Sequence, residues 1–119
     1  MQVTKIAEAG AYEAPNHEGV SALRLQGFEA SDATAFWVGF SRYEPGGRAA
    51  RTASDTEKVY VVIDGEITVI TDDGEAVLGP LDSCFLAVGE ARALENRSGR
   101  EASMLVLMQY AQPVTGGEK

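Results

Sequence analysis

The chain has 119 residues, and its 18 acidic and 10 basic side chains give a formal net charge of −8. This length predicts one domain, and so acidic a chain makes nucleic acid or an anionic membrane surface a poor partner, since both attract basic faces. The single cysteine, Cys84, excludes a disulfide framework, and no apolar run approaches the roughly 18 residues of a membrane span. The opening residues lack the pattern of a secretory signal, so we expect a cytoplasmic protein.

Short strands separated by turn residues follow one another along the chain. The first 20 residues contain glycine and proline and are predicted to be irregular. Pro-Gly-Gly at 45–47 is expected to interrupt the chain, Asp-Gly at 64–65 predicts a hairpin, and DDGE at 72–75 predicts another tight turn. The predicted strands are SALRLQGF (21–28), ATAFWVGFSRYE (33–44), KVYVVI (58–63), EITVIT (66–71), AVLG (76–79), SCFLAV (83–88), RALENR (92–97) and SMLVLMQY (103–110).

This pattern predicts an all-β fold, an antiparallel sandwich or barrel. We expect a single domain over 1–119, with a barrel core at about 21–111, an N-terminal arm at 1–20 and a flexible tail at 112–119. In the strand at 58–63, one alternating face is wholly apolar and comprises Val59, Val61 and Ile63. Because an apolar outer face needs a cover, either the N-terminal segment or a second subunit should pack on it, and we expect a homodimer.

The stretch from about 36 to 110 resembles the cupin family of small β-barrels, most clearly in PGG…DTEKVYVVIDGEITV…DDGEAVLGPLDSCFLAVGEARALENRSG. The first cupin motif places two histidines and a glutamate between two glycines, and it aligns on Gly46 and Gly65. In the second motif, Gly89 and Asn96 match. The resemblance implies an RmlC-like double-stranded β-helix, a jelly-roll barrel with a pocket for a small molecule.

The four positions at which this family holds its metal ligands are changed to Thr52, Ser54, Lys58 and Arg92. A catalytic transition metal needs lone pairs from imidazole, carboxylate or thiolate, which hydroxyls replace poorly and protonated lysine or arginine cannot replace. Two inward cations would also repel a divalent ion. We therefore expect no metal and no other cofactor.

The residues that remain suggest a pocket for a small anion, because an arginine can hold a carboxylate through two hydrogen bonds. We predict binding of a small anionic metabolite, a carboxylate or a sugar-type compound, and whether turnover follows stays open. A neighbouring positive charge lowers the pKa of a lysine, so Lys58 is a candidate base or Schiff-base former and Tyr60 a candidate proton donor for isomerisation or lyase chemistry. The predicted ligand-binding residues are Thr52, Ser54, Lys58, Arg92 and Asn96.

Other interpretations of the same residues stay open at this point. Lys58 could reach into solvent or pair with an acidic neighbour (Asp55, Glu57 or Glu95), and Arg92 could pair with Glu90 or Glu95. Further structural interpretations take Asn96 as a turn residue, Tyr60 and Trp37 as core aromatics, Cys84 as a small buried group and His17 as a surface residue. The competing functions are a non-catalytic sensor or accessory subunit, and a metal-dependent enzyme using Glu57 with His17.

Overall fold

The computed structural model describes residues 1–110, so the expected tail at 112–119 lies outside the described residues. Nine strands, all paired antiparallel, form an almost closed barrel, which confirms the all-β jelly-roll expectation. A short 3-10 turn lies at Ile6–Glu8, and no helix within residues 1–110 is long and apolar enough to cross a bilayer. The strands are β1 Gly10–Tyr12, β2 His17–Gln26, β3 Phe36–Thr52, β4 Lys58–Asp64, β5 Ile67–Thr71, β6 Gly74–Leu78, β7 Ser83–Leu86, β8 Arg92–Glu95 and β9 Ala102–Gln109.

The long strand β3 connects the two halves of the barrel. Its first half pairs with β9, its second half pairs with β8, and β2 runs beside much of its length. The expectation that Pro-Gly-Gly at 45–47 interrupts the chain is wrong, because β3 continues through it with a shift in register. Gly46 has φ +82 there, so the segment acts as a glycine-containing bulge that bends the strand without ending it.

The Asp-Gly turn at 64–65 does not make a hairpin. β4 pairs with β7 and β9, whereas β5 pairs with β6 and β8, so the turn carries the chain from one half of the barrel to the other. Gly65 is needed because its φ is +77 and an added Cβ would lie 2.8 Å from the Ala102 Cα. The second predicted turn does make a hairpin, in which Thr71 of β5 pairs with Gly74 of β6.

The N-terminal segment is more ordered in secondary structure than the sequence predicts. It contains β1 and the start of β2, and these two strands form an antiparallel hairpin that adds to β3. Strand alternation then sorts the side chains, so that Tyr60 and Val62 of β4 are buried inside while Val59 and Val61 face outward and are half-buried.

Candidate functional site

A cavity of about 360 Å³ opens inside the barrel. Inward-facing side chains of β2, β3, β4, β8 and β9 line it, together with the connection between β1 and β2. Much of the wall is aromatic or aliphatic, and within residues 1–110 the only carboxylate that lines it is Glu13. The basic residues at the wall are His17, Arg24, Lys58 and Arg92. The cavity is therefore positive in an acidic protein.

Arg92 is fixed inside the barrel by two hydrogen bonds. Its Nε donates to the Tyr60 hydroxyl at 2.8 Å, and its Nη1 donates to the Thr52 carbonyl oxygen at 3.2 Å. The expected alternative of an ion pair is wrong, because Glu95 pairs with Arg97 and Glu90 accepts a hydrogen bond from the Ala87 amide. Burial raises the pKa of the Tyr60 phenol, so this hydroxyl keeps its proton near neutral pH.

Lys58 lies on the inner face of β4 with only 7% of its surface exposed. No carboxylate of residues 1–110 forms a salt bridge with it, and Asp55 and Glu57 are exposed, so both the solvent-facing and the paired interpretation are wrong. Burial, followed by the charge of Arg92, lowers the pKa of Lys58 to about 8. The ammonium is therefore close to losing its proton at mildly alkaline pH.

The two hydroxyl residues at the former metal positions also line the cavity. Ser54 Oγ donates to the Thr56 carbonyl oxygen at 3.0 Å, which leaves the Ser54 oxygen free to accept a hydrogen bond. Thr52 is half-buried and lies opposite Arg92 in the β3–β8 pairing. Thr52, Ser54, Lys58, Tyr60 and Arg92 therefore lie around one cavity, as the sequence predicts.

Asn96 is the one predicted site residue that the structure separates from this group. It does not line the cavity, and its amide nitrogen donates to the backbone carbonyls of Tyr43, Glu44 and Arg100. Its side-chain oxygen accepts hydrogen bonds from Ser98. With its donors and acceptor occupied, Asn96 holds the turn after β8 to the middle of β3.

His17 is also placed differently from the sequence-based expectation. It lines the cavity and is half-buried, so its assignment to the surface is wrong. A carbonyl oxygen can only accept, so the 2.7 Å contact between His17 Nδ1 and Pro15 O places a proton on Nδ1. Burial lowers the pKa of His17, which keeps the ring neutral with a lone pair on Nε2.

Four further residues line the cavity although the sequence analysis does not predict them as site residues: Tyr12, Arg24, Phe28 and Trp37. Trp37 was expected in the core, and the structure places it at the cavity wall. Tyr12 and Arg24 come together through the β1–β2 pairing, in which Arg24 lies opposite Gly10 and Tyr12 opposite Ala22, and both Tyr12 and Arg24 line the cavity. The Gly- and Pro-rich opening of the chain concealed that hairpin.

The alternative metal site of Glu57 with His17 is not formed, since Glu57 is exposed and does not line the cavity. Among residues 1–110, no group of three or more histidine, cysteine, aspartate or glutamate side chains converges in a way that could hold a metal ion. Apart from His17 and Glu13, the polar side chains at the cavity wall are cationic or hydroxylic, and such groups are poorly suited to a transition metal.

Comparison with known proteins identifies the family. The profile of the family described as "Cupin domain" matches residues 39–108, more than half of the chain, and the chain therefore belongs to the cupin family. A protein of Mycobacterium tuberculosis (strain H37Rv) named beta-D-galactosidase Rv1717 is 49% identical over 114 residues, which cover 96% of this chain and 97% of that protein.

Solved structures show the same fold. The polyketide cyclase RemF from Streptomyces resistomycificus matches with a TM-score of 0.83 at 18% identity, over 95% of this chain and 82% of that one. KdgF from Halomonas sp. matches with a TM-score of 0.79 at 9% identity, over 95% and 96% of the two chains. A sugar phosphate isomerase of the cupin superfamily from Silicibacter pomeroyi matches with a TM-score of 0.70 at 26% identity, over 78% of this chain and 60% of that one.

The buried Lys58 ammonium should make stability depend on pH. Its pKa falls from 10.5 to about 8 on folding, so the unfolded chain binds more protons between these two values. Below pH 8 the burial penalty is fully present, and it disappears as pH rises towards 10.5. Urea unfolding should show the free energy of unfolding rising by about 2 kcal/mol between pH 7 and 10 from this residue.

Lys58→Met should be more stable than the native chain at pH 7 by a similar amount and should lack this rise. Lys5→Met is the matched control, because Lys5 is exposed, and it should follow the native profile. Identical pH profiles for Lys58→Met and the native protein would contradict a buried ammonium.

Proposed function

We propose that the protein binds a small anionic sugar derivative, a sugar acid or a sugar phosphate, in the barrel cavity and without a metal ion. The observation that carries this proposal is that the cationic side chains of the cavity have no salt-bridge partner among residues 1–110. Arg24, Lys58 and Arg92 all line the cavity, and no carboxylate of residues 1–110 forms a salt bridge with any of them. An anionic ligand would supply the missing counter-charge.

Arginines on the outside of the barrel behave differently. The salt bridges found within the described part of the chain all join exposed or partly exposed side chains, at N–O distances of 2.6 to 3.1 Å. Carboxylates are thus available in this chain, but these pair outside the cavity, and Glu13 at the cavity wall forms no salt bridge within residues 1–110. The salt bridges on the outside of the barrel are Arg48–Glu18, Arg51–Asp72, Arg97–Glu75, Arg97–Glu95 and Arg100–Asp64.

The geometry suits a polyhydroxylated acid. The two hydrogen bonds of Arg92 use two of the five N–H groups of a guanidinium, so others can hold a carboxylate or phosphate. Lys58 adds a point charge, and the Thr52 and Ser54 hydroxyls can bond to sugar hydroxyls. The aromatic wall can pack against the C–H face of a sugar.

The names of two relatives support a sugar as the ligand class, since one is a beta-D-galactosidase and the other a sugar phosphate isomerase. Glycoside hydrolysis usually requires two carboxyl groups on either side of the scissile bond. Glu13 is the single carboxylate among the lining residues of this cavity. We therefore propose a sugar derivative as the ligand of this chain, but we do not propose that the chain hydrolyses glycosides with a pair of carboxyl groups.

Binding is tested by calorimetry and thermal unfolding with galactonate, galacturonate and galactose 6-phosphate, with neutral galactose for comparison. At least one anion should bind, and at 100 times its dissociation constant it should add about 2.7 kcal/mol of stability. Arg92→Met and Lys58→Met should each weaken binding by about tenfold or more, because each removes a charge–charge contact in a partly dry site.

Arg51→Met serves as the matched control, because Arg51 is an exposed arginine paired with Asp72, and it should bind like the native protein. The proposal is overturned if no anion binds, or if galactose binds as tightly as its acids.

A second candidate function is proton transfer on the bound ligand, favoured by the neighbouring groups Lys58 and Tyr60. Neutral Lys58 Nζ would take a proton from a carbon next to a carbonyl group. The Tyr60 hydroxyl accepts from Arg92, so its own proton is free to bond to the developing enolate oxygen. Nζ would return the proton to the adjacent carbon while the hydroxyl proton passes from one ligand oxygen to the other through the Tyr60 hydroxyl, so the net change is an isomerisation without another reactant.

Turnover is tested by proton NMR of galacturonate in D₂O, which follows deuterium entering beside the carbonyl. Exchange should fall by about 100-fold or more in Lys58→Met and by about tenfold in Tyr60→Phe, within the usual contribution of a general acid or base. Arg51→Met should exchange at the native rate. Borohydride trapping of the native protein reports whether Lys58 forms a Schiff base.

Unchanged exchange in Lys58→Met would remove Lys58 as the base. Binding without any exchange would leave a non-catalytic sensor or accessory role for the protein. Cleavage of an aryl β-D-galactoside that is lost in Glu13→Gln would replace this isomerisation with hydrolysis.

We also propose that the protein forms a homodimer through the outer face of β7, β4 and β9. Val59 on this face pairs in register with Phe85 of β7 and Leu107 of β9, and Phe85 is 56% exposed. The outward side chains around Val59 on these three strands carry no charge, and the one charged outward residue, Asp64 at the end of β4, is paired with Arg100. A second copy of this acidic chain can therefore approach this patch without strong repulsion. Burial of this face would stabilise the pair.

Sedimentation equilibrium at micromolar concentration should show a dimer. Phe85→Asp should shift it to monomer, because it places a carboxylate at the centre of the apolar face. Val77→Asp is the control, since Val77 is 61% exposed on β6 in the other half of the barrel, and it should leave the dimer intact. A native monomer, or a Phe85→Asp dimer, would exclude this interface.

A further inference from the structure

We propose that Arg24 and the aromatic rings around it form a second anion subsite, so that the ligand carries an acidic group at each end. This inference rests on the proposed function and narrows its ligand class to sugar diacids and phosphorylated sugar acids. The first acidic end would contact Lys58 and Arg92, and the second would contact Arg24.

Three aromatic rings hold the Arg24 guanidinium in place. Its central carbon lies 4.0 Å from the ring centre of Tyr12, 4.0 Å from that of Phe28 and 4.8 Å from that of Trp37. Such contacts satisfy the flat faces of a guanidinium but leave the N–H groups at its edge without acceptors. The rings thus fix the orientation of Arg24 without neutralising its charge.

Arg24 lacks the hydrogen bonds that a structural arginine would have. Its Nε is buried and has no hydrogen-bond partner among residues 1–110, and none of the described salt bridges includes Arg24. A buried donor without an acceptor costs about 1–3 kcal/mol, and more when it is charged. Because Arg24 also lines the cavity, a carboxylate or phosphate of a bound ligand can supply the acceptor.

The backbone around Arg24 and its aromatic rings has glycines where a side chain would collide with the rings, and a strained φ at one of the ring residues. Gly27 has φ +88, and a Cβ there would lie 2.5 Å from the Trp37 Cβ. A Cβ on Gly39 would lie 2.5 Å from the Tyr12 hydroxyl. Phe28 has φ +50, a strained value for an aromatic residue, and its amide donates to the Tyr110 hydroxyl at 2.6 Å. Strain kept at a ligand-lining residue is typical of functional sites.

The strand register places Arg24 opposite the first cation group. Arg24 pairs with Gly39 of β3, Gly39 with Val106 of β9, and Val106 with Tyr60 of β4. Arg24 and Tyr60 therefore lie in one row of the inner face, three strand spacings or about 14 Å apart along the sheet. Because the sheet curves into a barrel, the direct distance between the two residues is shorter than this path along the sheet.

The test compares galactarate, which has a carboxylate at both ends, with galactonate, which has one, using calorimetry. 6-Phosphogluconate reports whether a phosphate can serve as the second group. The native protein should bind at least one of the two-ended acids about tenfold or more tightly than galactonate, as expected for one added charge-assisted contact. In Arg24→Gln that advantage should fall to within about twofold, because the affinity for the two-ended acids falls more than the affinity for galactonate.

Phe28→Leu provides a second variant in case Arg24→Gln folds poorly, and it should reduce the same advantage by loosening the guanidinium. Arg42→Met is the matched control, because Arg42 also lies over an aromatic ring, that of Phe40 at 4.9 Å, but does not line the cavity. It should keep the native preference.

The outcomes separate this inference from the proposed function. If no acid binds the native protein, the proposed function itself fails. If galactonate binds as tightly as both two-ended acids, or if Arg24→Gln weakens all acids equally, the second subsite is excluded and the anion-binding function stands.

Discussion

The rest of this structure depends on one constraint: positively charged side chains lie inside a small barrel, where they are partly removed from water. A buried cation loses hydration, and it must recover that loss through hydrogen bonds, a changed protonation state or a ligand. The three cavity cations show different responses. Arg92 is hydrogen-bonded to Tyr60 and to the Thr52 carbonyl, Lys58 has its pKa lowered to about 8, and Arg24 is enclosed by aromatic rings. None of these responses removes the net positive charge of the cavity.

The scaffold explains why these cations occupy the place of a metal. The bulge at Gly46 bends β3, the turn at Gly65 carries the chain from β4 to β5, and strand alternation directs Lys58 and Tyr60 inward. Two of the positions that present lone pairs to a metal in the family motifs carry Lys58 and Arg92 here, which present N–H groups to the cavity. Under the proposed function, this change reverses the charge of the preferred partner, from a cation to an anion, within the same barrel.

A second wall of the cavity comes from outside the region that the family profile matches. That region begins at residue 39, whereas Tyr12, His17, Arg24 and Phe28 precede it and all line the cavity. The β1–β2 hairpin thus supplies much of the aromatic and basic lining to a barrel that the profile recognises by its core strands. The M. tuberculosis relative aligns over 96% of this chain, so its similarity extends to this hairpin as well.

The sequence by itself determined the barrel and one wall of its site. Alternating short strands and turn residues defined β4 to β9 to within about two residues at each end, and the period of two placed Lys58 and Tyr60 on the face opposite Val59 and Val61. Tertiary structure decided what depends on contacts between distant segments. It assigned Asn96 to the backbone of Tyr43 and Glu44, brought His17 to the cavity, and let β4 pair with β7 and β9 in place of β5. Local pattern fixes which way a side chain points from its strand, but which strand lies opposite is set by how the whole sheet closes, and that long-range pairing leaves no local signal.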